Sequence, residues 1–431
     1  MGGVMPFTAV GDCFITRKLP NKNESFLKIA SIIQKGEACF MNLEVTIHDH
    51  EGFPAAVSGG TWAMAPPKVL NDLKEYGFNL VSWANNHTLD YSSGGLEATE
   101  RYLNEYGFVH AGAGKNLALA ASPKYLECPS GRVALIAATS TIHESGIAGE
   151  QRRDMCGRPG VNPLRYQSMY FLNTKRLDQL KEIAEISGIN AKLNVAKKEG
   201  FFQNLGGNSF MFGRYLFVEG TQEGLITVPM QKDLARIINA IYEAKRQADY
   251  VIVSIHSHEM KGEFNDQPAE FLQLAARKCI DAGAHSVIGH GPHVLRGIEI
   301  YKKCPIFYSL GNFIFQNETV IDQPHDFYNS YGLGHTSNIA DALDRISNNN
   351  TRGFGANEDV WQTIIPFWTM ENGELKELKL YPIELGFNHP RYRRGWPKVS
   401  NNTEILQRIR KLSLPFGTNI EIGNCIGKVN L

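Results

Sequence analysis

The chain has 431 residues, 43% hydrophobic and 20% charged, a balance typical of soluble globular proteins and unlike that of disordered ones. Its 44 Lys and Arg match 44 Asp and Glu, so no net field draws it toward nucleic acid or an anionic membrane. The seven cysteines, Cys13 to Cys425, are odd in number, scattered and never spaced C-x-x-C, which argues against a disulfide framework or zinc ribbon and for a reducing compartment.

In chain order, strand-length apolar runs alternate with helical stretches, the pattern of an α/β fold with buried strands under crossover helices. "FTAVGDCFI" predicts a first strand, "SFLKIASIIQKG" a helix ending at Gly36, and "EACFMNLEVTI" a second strand. "PPKVLNDLKEYG" is a helix with prolines at its start, and "FNLVSWANN" a third strand. A helix over "GGLEATERYLNEYG", a strand over "GRVALIAATST" and a helix over "QKDLARIINAIYEAKRQ" follow, the last with Leu234, Ile237, Ile238 and Ile241 along one face. "DYVIVSIHSHE", "QPAEFLQLAARKCIDAG" and "HSVIGHGPHV" continue as strand, helix and strand. "GIEIYKKCPIFYSLGNFIF" and "WQTIIPFWTMENGELKELKLYPIELG" read as β-hairpins, the second turning at Glu371-Asn372-Gly373.

Two stretches interrupt the alternation, 142–229 and 317–359, and are expected to be insertions that shape a substrate site. The expected organisation is one domain over 1–386 carrying both insertions, then a C-terminal extension over 387–431. No apolar stretch is long enough to cross a bilayer, and the first residues run straight into strand-like sequence without a leader. A soluble, cytoplasmic protein is the expectation.

Polar residues fall at the carboxyl ends of the inferred strands: Asp12, Glu44, Asn85 with Asn86 and His87, His256 with His258 and Glu259, and His290 with His293. In an open α/β sheet these ends face one crevice. Carboxylates, amide oxygens and imidazoles form a donor set suited to Mn, Fe or Zn and poorly matched to Ca or Mg. A divalent pair bridged by a carboxylate such as Glu44 would polarise substrate and activate water near neutral pH, which is hydrolytic chemistry. Cys13 stays outside the set, because it follows Asp12 on a strand and points to the opposite face.

Each residue also has a plainer reading. Asp12 after Gly11 is a common turn pair, and Glu44 could face solvent. "SWANNH" could be a polar cap, and "HSHE" a strand edge with His256 and His258 on one face. "GHGPH" is the strongest local signal, since two histidines three apart around Gly291 and Pro292 suit a tight ligand-gripping loop. Trp62 and Trp83 lie near the expected crevice mouth, Trp83 more consistent with core packing. Arg152, Arg153, Arg158 and Arg165 could clamp anions or be solvated surface charges.

"VGD", "NLE", "ANNHTLDY", "GLEAT", "GAGKN" and "IGHGPHVLRGIEIYKKCPIFYSLGNF" resemble the CapA family, associated with capsule and poly-γ-glutamate synthesis, over Pro6–Thr141 and Gln231–Gln316. That family is similar to calcineurin-like metallophosphoesterases, which implies a four-layer α/β/β/α sandwich with a site for two divalent transition metals. Carried over by resemblance, Asp12, Glu44, Asn86, His256, His290 and His293 are metal ligands, His87 is the general acid, and Asp90 orients it. Trp62, His258, Glu259 and Asn312 are candidate substrate contacts. The implied function is a metal-dependent hydrolase of a phosphoester or a γ-glutamyl-type amide, acting on a small or polymeric anionic substrate. The alternative is a non-catalytic binding or assembly subunit of a polymer-making complex. Neither a nucleic-acid partner nor an integral membrane segment is expected, and the oligomeric state is open. Two departures stand out: Cys13 and Phe14 follow Asp12 where metallophosphoesterases carry Asp-x-His, and "HSHEM" replaces a His-Trp-Gly-x-Glu run.

Overall fold

A computed structural model describes residues 3–19, 22–201 and 208–431. The chain begins with β1 (Met5–Phe14), α1 (Glu24–Ile33), β2 (Ala38–Leu43), α2 (Val69–Tyr76), β3 (Leu80–Ser82), α3 (Ser92–Glu105) and β4 (Val109–Ala111). These strands pair in parallel in that order, and β1 and β2 are buried almost throughout, as continuous apolar runs under crossover helices require. β5 (Lys124–Cys128) and β6 (Gly131–Thr139) form a hairpin.

Next comes the first insertion, whose described residues form regular elements. Its β7 (Tyr166–Leu172), α4 (Thr174–Ser187), β8 (Ser209–Phe212), β9 (Tyr215–Glu219) and β10 (Gly224–Pro229) include a four-stranded sheet in the order β8-β9-β7-β10. Residues 202–207 of this stretch lie outside the described residues.

The second half follows as α5 (Gln231–Ala244), β11 (Tyr250–His256), α6 (Glu270–Ala282), β12 (Ser286–His290), β13 (Leu295–Tyr301), β14 (Cys304–Leu310) and β15 (Asn312–Phe315). The second insertion carries α7 (His325–Ser330) and α8 (Ile339–Ser347). The long hairpin of β16 (Gln362–Glu371) and β17 (Glu374–Glu384) turns through Asn372 and Gly373, at φ 52° and 80°. Two positive φ values in a two-residue loop match the twist of the flanking strands and favour Asn-Gly. α9 (Thr403–Ser413), β18 (Ile420–Gly423) and β19 (Ile426–Val429) complete the chain.

Two sheets result. The larger runs β18-β19-β17-β16-β1-β2-β3-β4 with β15 also on β1, and the smaller runs β13-β14-β12-β11-β6-β5. They face each other across an aromatic layer: Phe7 stacks on Trp368 at 5.2 Å and meets Tyr250 of the opposite sheet edge-on at 5.5 Å. Trp368 in turn reaches Phe307 at 5.4 Å. Such ring pairs contribute roughly 0.5–1.5 kcal/mol each beyond the area they bury. α1 and α2 cover the outer face of the larger sheet, where the Thr8 hydroxyl donates to the Ile33 carbonyl and Phe26 packs on Tyr76. α5 and α6 cover the smaller sheet, completing the α/β/β/α order. The stretch 387–431, expected as an extension, adds β18 and β19 to the larger sheet, while α9 packs against β13 of one sheet and β17 of the other.

Two expected strands are shorter than the sequence suggested. β11 stops at His256, so His258 and Glu259 lie in the following loop and not on one strand face. β12 stops at His290, and the chain turns through Gly291 at φ 119° and His293 at φ 61°.

One irregularity in β1 places the functional face. Ala9 pairs with Phe40 and Asp12 with Asn42, so β1 advances three residues where β2 advances two. The extra residue is a β-bulge, which switches the face of the residues after it and turns Asp12 into the space between the sheets. A Cβ on Gly11 would lie 1.9 Å from the Gly311 carbonyl oxygen, backbone that cannot step aside. Gly11→Ala is therefore expected to cost about 3 kcal/mol or more, read as a fall in urea midpoint; an unchanged midpoint contradicts the packing.

Candidate metal and catalytic site

With the bulge in place, Asp12 has no exposed surface and both its oxygens are held: Asn42 Nδ2 donates to Oδ1 at 2.8 Å and the Gly291 amide to Oδ2 at 3.0 Å. The parallel register of β11 and β12 sets His256 beside His290, with their Nδ1 atoms 3.0 Å apart. His290 Nδ1 lies 3.5 Å from Asp12 Oδ1, and His256 Nδ1 and His293 Nδ1 each lie 3.8 Å from an Asp12 oxygen. Ser254 holds the far nitrogen of His290 at 2.8 Å, and Asn312 Oδ1 holds His293 Nδ1 at 2.9 Å.

Glu44 follows the end of β2 on the same face as Asn42. It is fully buried, its Oε1 is 3.6 Å from His256 Nε2, and neither carboxylate oxygen has a hydrogen-bond partner among the described residues. Asn86 Oδ1 is likewise buried without a partner, while Asn86 Nδ2 donates to the Gly59 carbonyl at 3.2 Å. Burying a carboxylate and an amide oxygen unpaired carries a large cost, which makes each a candidate ligand for a cation. Three ligand groups close enough to hold a cation recur here: Asp12, His256 and His290; Glu44, His256 and His258; Asp12, Glu44 and His293. In each, the candidate donor atoms lie within 4.8 Å of one another.

The electrostatics disfavour protonation of the clustered imidazoles. Burial, then neighbouring histidines, pushes His256 well below its ordinary value, and burial with the charge of His293 brings His258 down to about 3. Burial also lowers His293. Neutral imidazoles with free lone pairs are the form a metal binds. Burial alone would raise Asp12, but the hydrogen bond and charge of His290, the charge of His293 and the Asn42 bond hold it below its ordinary value. Glu44 moves the other way, raised well above its ordinary value by burial and then by the charges of Asp12 and Asp90. Cys13 alternates with Asp12 on β1, burial and then the charges of Asp12 and Glu44 push its thiol well above its ordinary value, and it belongs to none of the candidate ligand groups.

The turn after β3 carries the second half of the site. Asn85 Nδ2 donates to Asn42 Oδ1 at 3.3 Å and to the Leu43 carbonyl at 2.7 Å, which docks the turn on the end of β2. Asn85 Oδ1 accepts from the His87 amide at 3.0 Å. His87 Nδ1 lies 2.6 Å from Asp90 Oδ2, and Asp90 also accepts the amides of Gly59 at 3.1 Å and Ala63 at 2.7 Å. Phe14 packs edge-on against the His87 ring at 5.2 Å. A Cβ on Gly59 would lie 2.9 Å from His87 Nε2, so only glycine lets the loop lie so close over that nitrogen.

A cleft of about 1020 Å³ opens beside this cluster. Asn86, His258 and Glu259 line one side, and the first insertion supplies His143, Glu144, Arg158, Arg165 and Tyr166 to the other. Arg165 is tied to Asp233 at 2.7 and 2.8 Å, whereas Arg152 turns outward to Asp154. Arg153 is exposed and away from the cleft lining.

Each residue singled out from the sequence now has a place. Asp12, Glu44, His256, His258, His290 and His293 converge, His87 and Asp90 form a hydrogen-bonded pair beside them, and Asn86 faces the cleft. Asn312 sits behind His293 as its support. Trp62 is not on the cleft wall: it packs with Tyr91 and Phe327 in a small separate core, its indole donating to the Ala55 carbonyl at 2.9 Å. Trp83 is core. Three contributors were missed. Asn42 was visible as the residue two before Glu44 on the same strand face; Ser254 stands likewise two before His256. Arg296, fully buried on β13, donates to the carbonyls of Ser257 at 3.2 Å and His258 at 3.1 Å and so fixes the histidine loop. A charged residue inside an apolar strand was its signal.

The chain is 34% identical to the uncharacterized protein y4sH of Sinorhizobium fredii, over 98% of this chain and 92% of that one. It is 26% identical to the capsule biosynthesis protein CapA of Bacillus anthracis, over 58% of this chain and 43% of that one. A solved structure of a putative 5′-nucleotidase from Staphylococcus aureus aligns with 95% of this chain and 58% of its own at 11% identity and a TM-score of 0.39. Among the described residues no helix is long and apolar enough to cross a membrane. The profile of the bacterial capsule synthesis protein family PGA_cap matches residues 6–317, and the chain belongs to that family.

Proposed function

We propose that the protein is a metal-dependent hydrolase acting on a phosphoester or a γ-glutamyl-type amide in capsule or poly-γ-glutamate metabolism. The observation that carries this reading is the unpaired, fully buried Glu44 carboxylate facing His256, next to Asp12 and the other imidazoles. Asp12, Glu44, Asn86, His256, His290 and His293 would hold two divalent transition ions such as Mn, Fe or Zn, with Glu44 between the two positions. Bound there, the ions supply Lewis acidity and an activated water. The chain's own residues do the rest. Asp90 holds His87 with Nδ1 turned inward, so that Nε2 faces the leaving group and delivers its proton as the bond breaks. Gly59 keeps the covering loop thin over that nitrogen.

The test is direct. The purified protein is analysed for bound metal, loaded with manganese, and assayed against an aryl phosphodiester and γ-glutamyl peptides, with Asp12→Asn alongside. Asp12→Asn is expected to lose most of its manganese and its activity together, because the amide cannot match the carboxylate charge that faces three imidazoles. A variant that retains both retires the assignment. One feature favours the second reading, a binding subunit without turnover: Phe14 stands two residues after Asp12, where an Asp-x-His pair would carry its histidine, so β1 contributes no imidazole to the site. Stoichiometric metal without hydrolysis of either substrate class would favour that reading.

A further inference from the structure

Resting on the hydrolase reading, we propose that the cleft recognises a zwitterionic substrate end, with Glu259 taking a primary ammonium and Arg158 a carboxylate. Glu259 is a built site. Its Oε2 accepts three hydroxyl hydrogen bonds, from Ser140 at 2.6 Å, Thr141 at 3.0 Å and Ser257 at 2.9 Å. Three donors on one oxygen fix the carboxylate plane, while its Oε1 receives no hydrogen bond among the described residues, and the residue lines the cleft. Arg296, whose charge acts on Glu259, directs its hydrogen bonds to the carbonyls of Asn265, Ser257 and His258. The carboxylate is therefore oriented by neutral hydroxyls and keeps one oxygen for a cationic ligand.

The charges around it decide the ligand class. On the opposite wall Arg165 is neutralised by Asp233 and feels Glu144 as well. Arg158 is different: its Nε donates to the Ile147 carbonyl at 3.0 Å, and its two terminal nitrogens make no hydrogen bond among the described residues. Arg158 and Glu259 thus offer a cation and an anion to the same cleft, which Glu144 also lines. A simple phosphodiester would meet a fixed negative charge at Glu259, whereas an end bearing both an ammonium and a carboxylate pairs with both groups. His258 adjoins Glu259, and its Nε2 is 3.1 Å from His256 Nε2, so the ammonium is bound next to the histidine cluster.

Calorimetric titration of the full-length protein tests this with three probes: γ-glutamylglutamate, its N-acetyl derivative and its α-amide. The free dipeptide is expected to bind about 10–100-fold more tightly than either capped form, the worth of one hydrogen bond to a charged group. Glu259→Gln should abolish the preference over the N-acetyl probe while leaving affinity for that probe unchanged. Arg158→Gln should do the same for the α-amide. Equal binding of all three probes by the unaltered protein, or no binding of any, overturns the proposal. So does a Glu259→Gln variant that weakens every probe equally, since that marks a purely structural role through Ser140, Thr141 and Ser257. Turnover of manganese-loaded protein is followed in parallel. Discrimination without turnover leaves recognition standing and removes the hydrolase reading; turnover without discrimination does the reverse.

Discussion

Replacing His87 with asparagine is expected to leave bound manganese unchanged and to slow turnover by roughly 10²–10⁴-fold, the usual contribution of a placed general acid. The geometry motivates both halves. His87 is held through Nδ1 by Asp90 at 2.6 Å, belongs to none of the groups that could grip a cation, and has its Nε2 directly beneath the Gly59 loop. The loss should depend on the leaving group. A nitrophenolate departs without a proton and should lose little, whereas an alkoxide or an amine needs the proton and should lose the full factor. A merely structural histidine would slow all substrates alike. Asp90→Asn should cost a smaller, roughly 10–100-fold factor, because it loosens the ring and the Gly59 and Ala63 amides that Asp90 also holds. Steady-state kinetics on a leaving-group series, with metal analysis of each protein, checks this; a flat loss across the series counts against proton delivery by His87.

How much of this could be read from residues alone depended on whether the signal was local. The alternation of strands and helices was visible because a strand buried on both faces is a continuous apolar run, as β11 is. Glu44 stood out because carboxylates are rare in such runs. The bulge at Gly11 was not visible. One extra residue leaves no trace in a period-two pattern, and only the pairing of Asp12 with Asn42 shows that the face has switched. The endpoints of β11 and β12 were misjudged for a related reason: "HSHE" alternates as a strand would, but the chain leaves the sheet once Arg296 captures the Ser257 and His258 carbonyls, and Arg296 lies 38 residues from His258. Trp62 was placed at the crevice because nothing in its neighbourhood reveals that Phe327, from the second insertion, packs with it. The first insertion lacked a period because its strands are half-exposed on both faces, with β7 partly covered along nearly its whole length. Resemblance supplied the proposed roles of the candidate ligands, and tertiary contacts supplied their supports.

Glu44→Gln separates a metal ligand from a structural acid by the sign of its effect. In protein stripped of metal the substitution is expected to stabilise the fold near neutral pH by on the order of 1–3 kcal/mol, since a neutral amide spares the cost of holding a proton on, or a charge in, the buried carboxyl group. The pH dependence comes from the same shift. Burial, then Asp12 and Asp90, holds the Glu44 pKa well above its ordinary 4.5. A raised acid binds more protons folded than unfolded, so the metal-free protein loses stability as pH rises from 4.5 toward that raised value. Glutamine removes this slope. With manganese present the order inverts: the unaltered protein gains stability with ligand concentration, and the variant gains little because its affinity falls by more than the roughly 10–100-fold that loss of an outer-sphere partner costs. Thermal unfolding of both proteins, with and without manganese between pH 5 and 8, reads all of these effects. A Glu44 kept for packing or for an internal hydrogen bond would destabilise when replaced in either state, so a crossing of the two stability orders is the outcome that only a cation between Glu44 and the imidazoles produces.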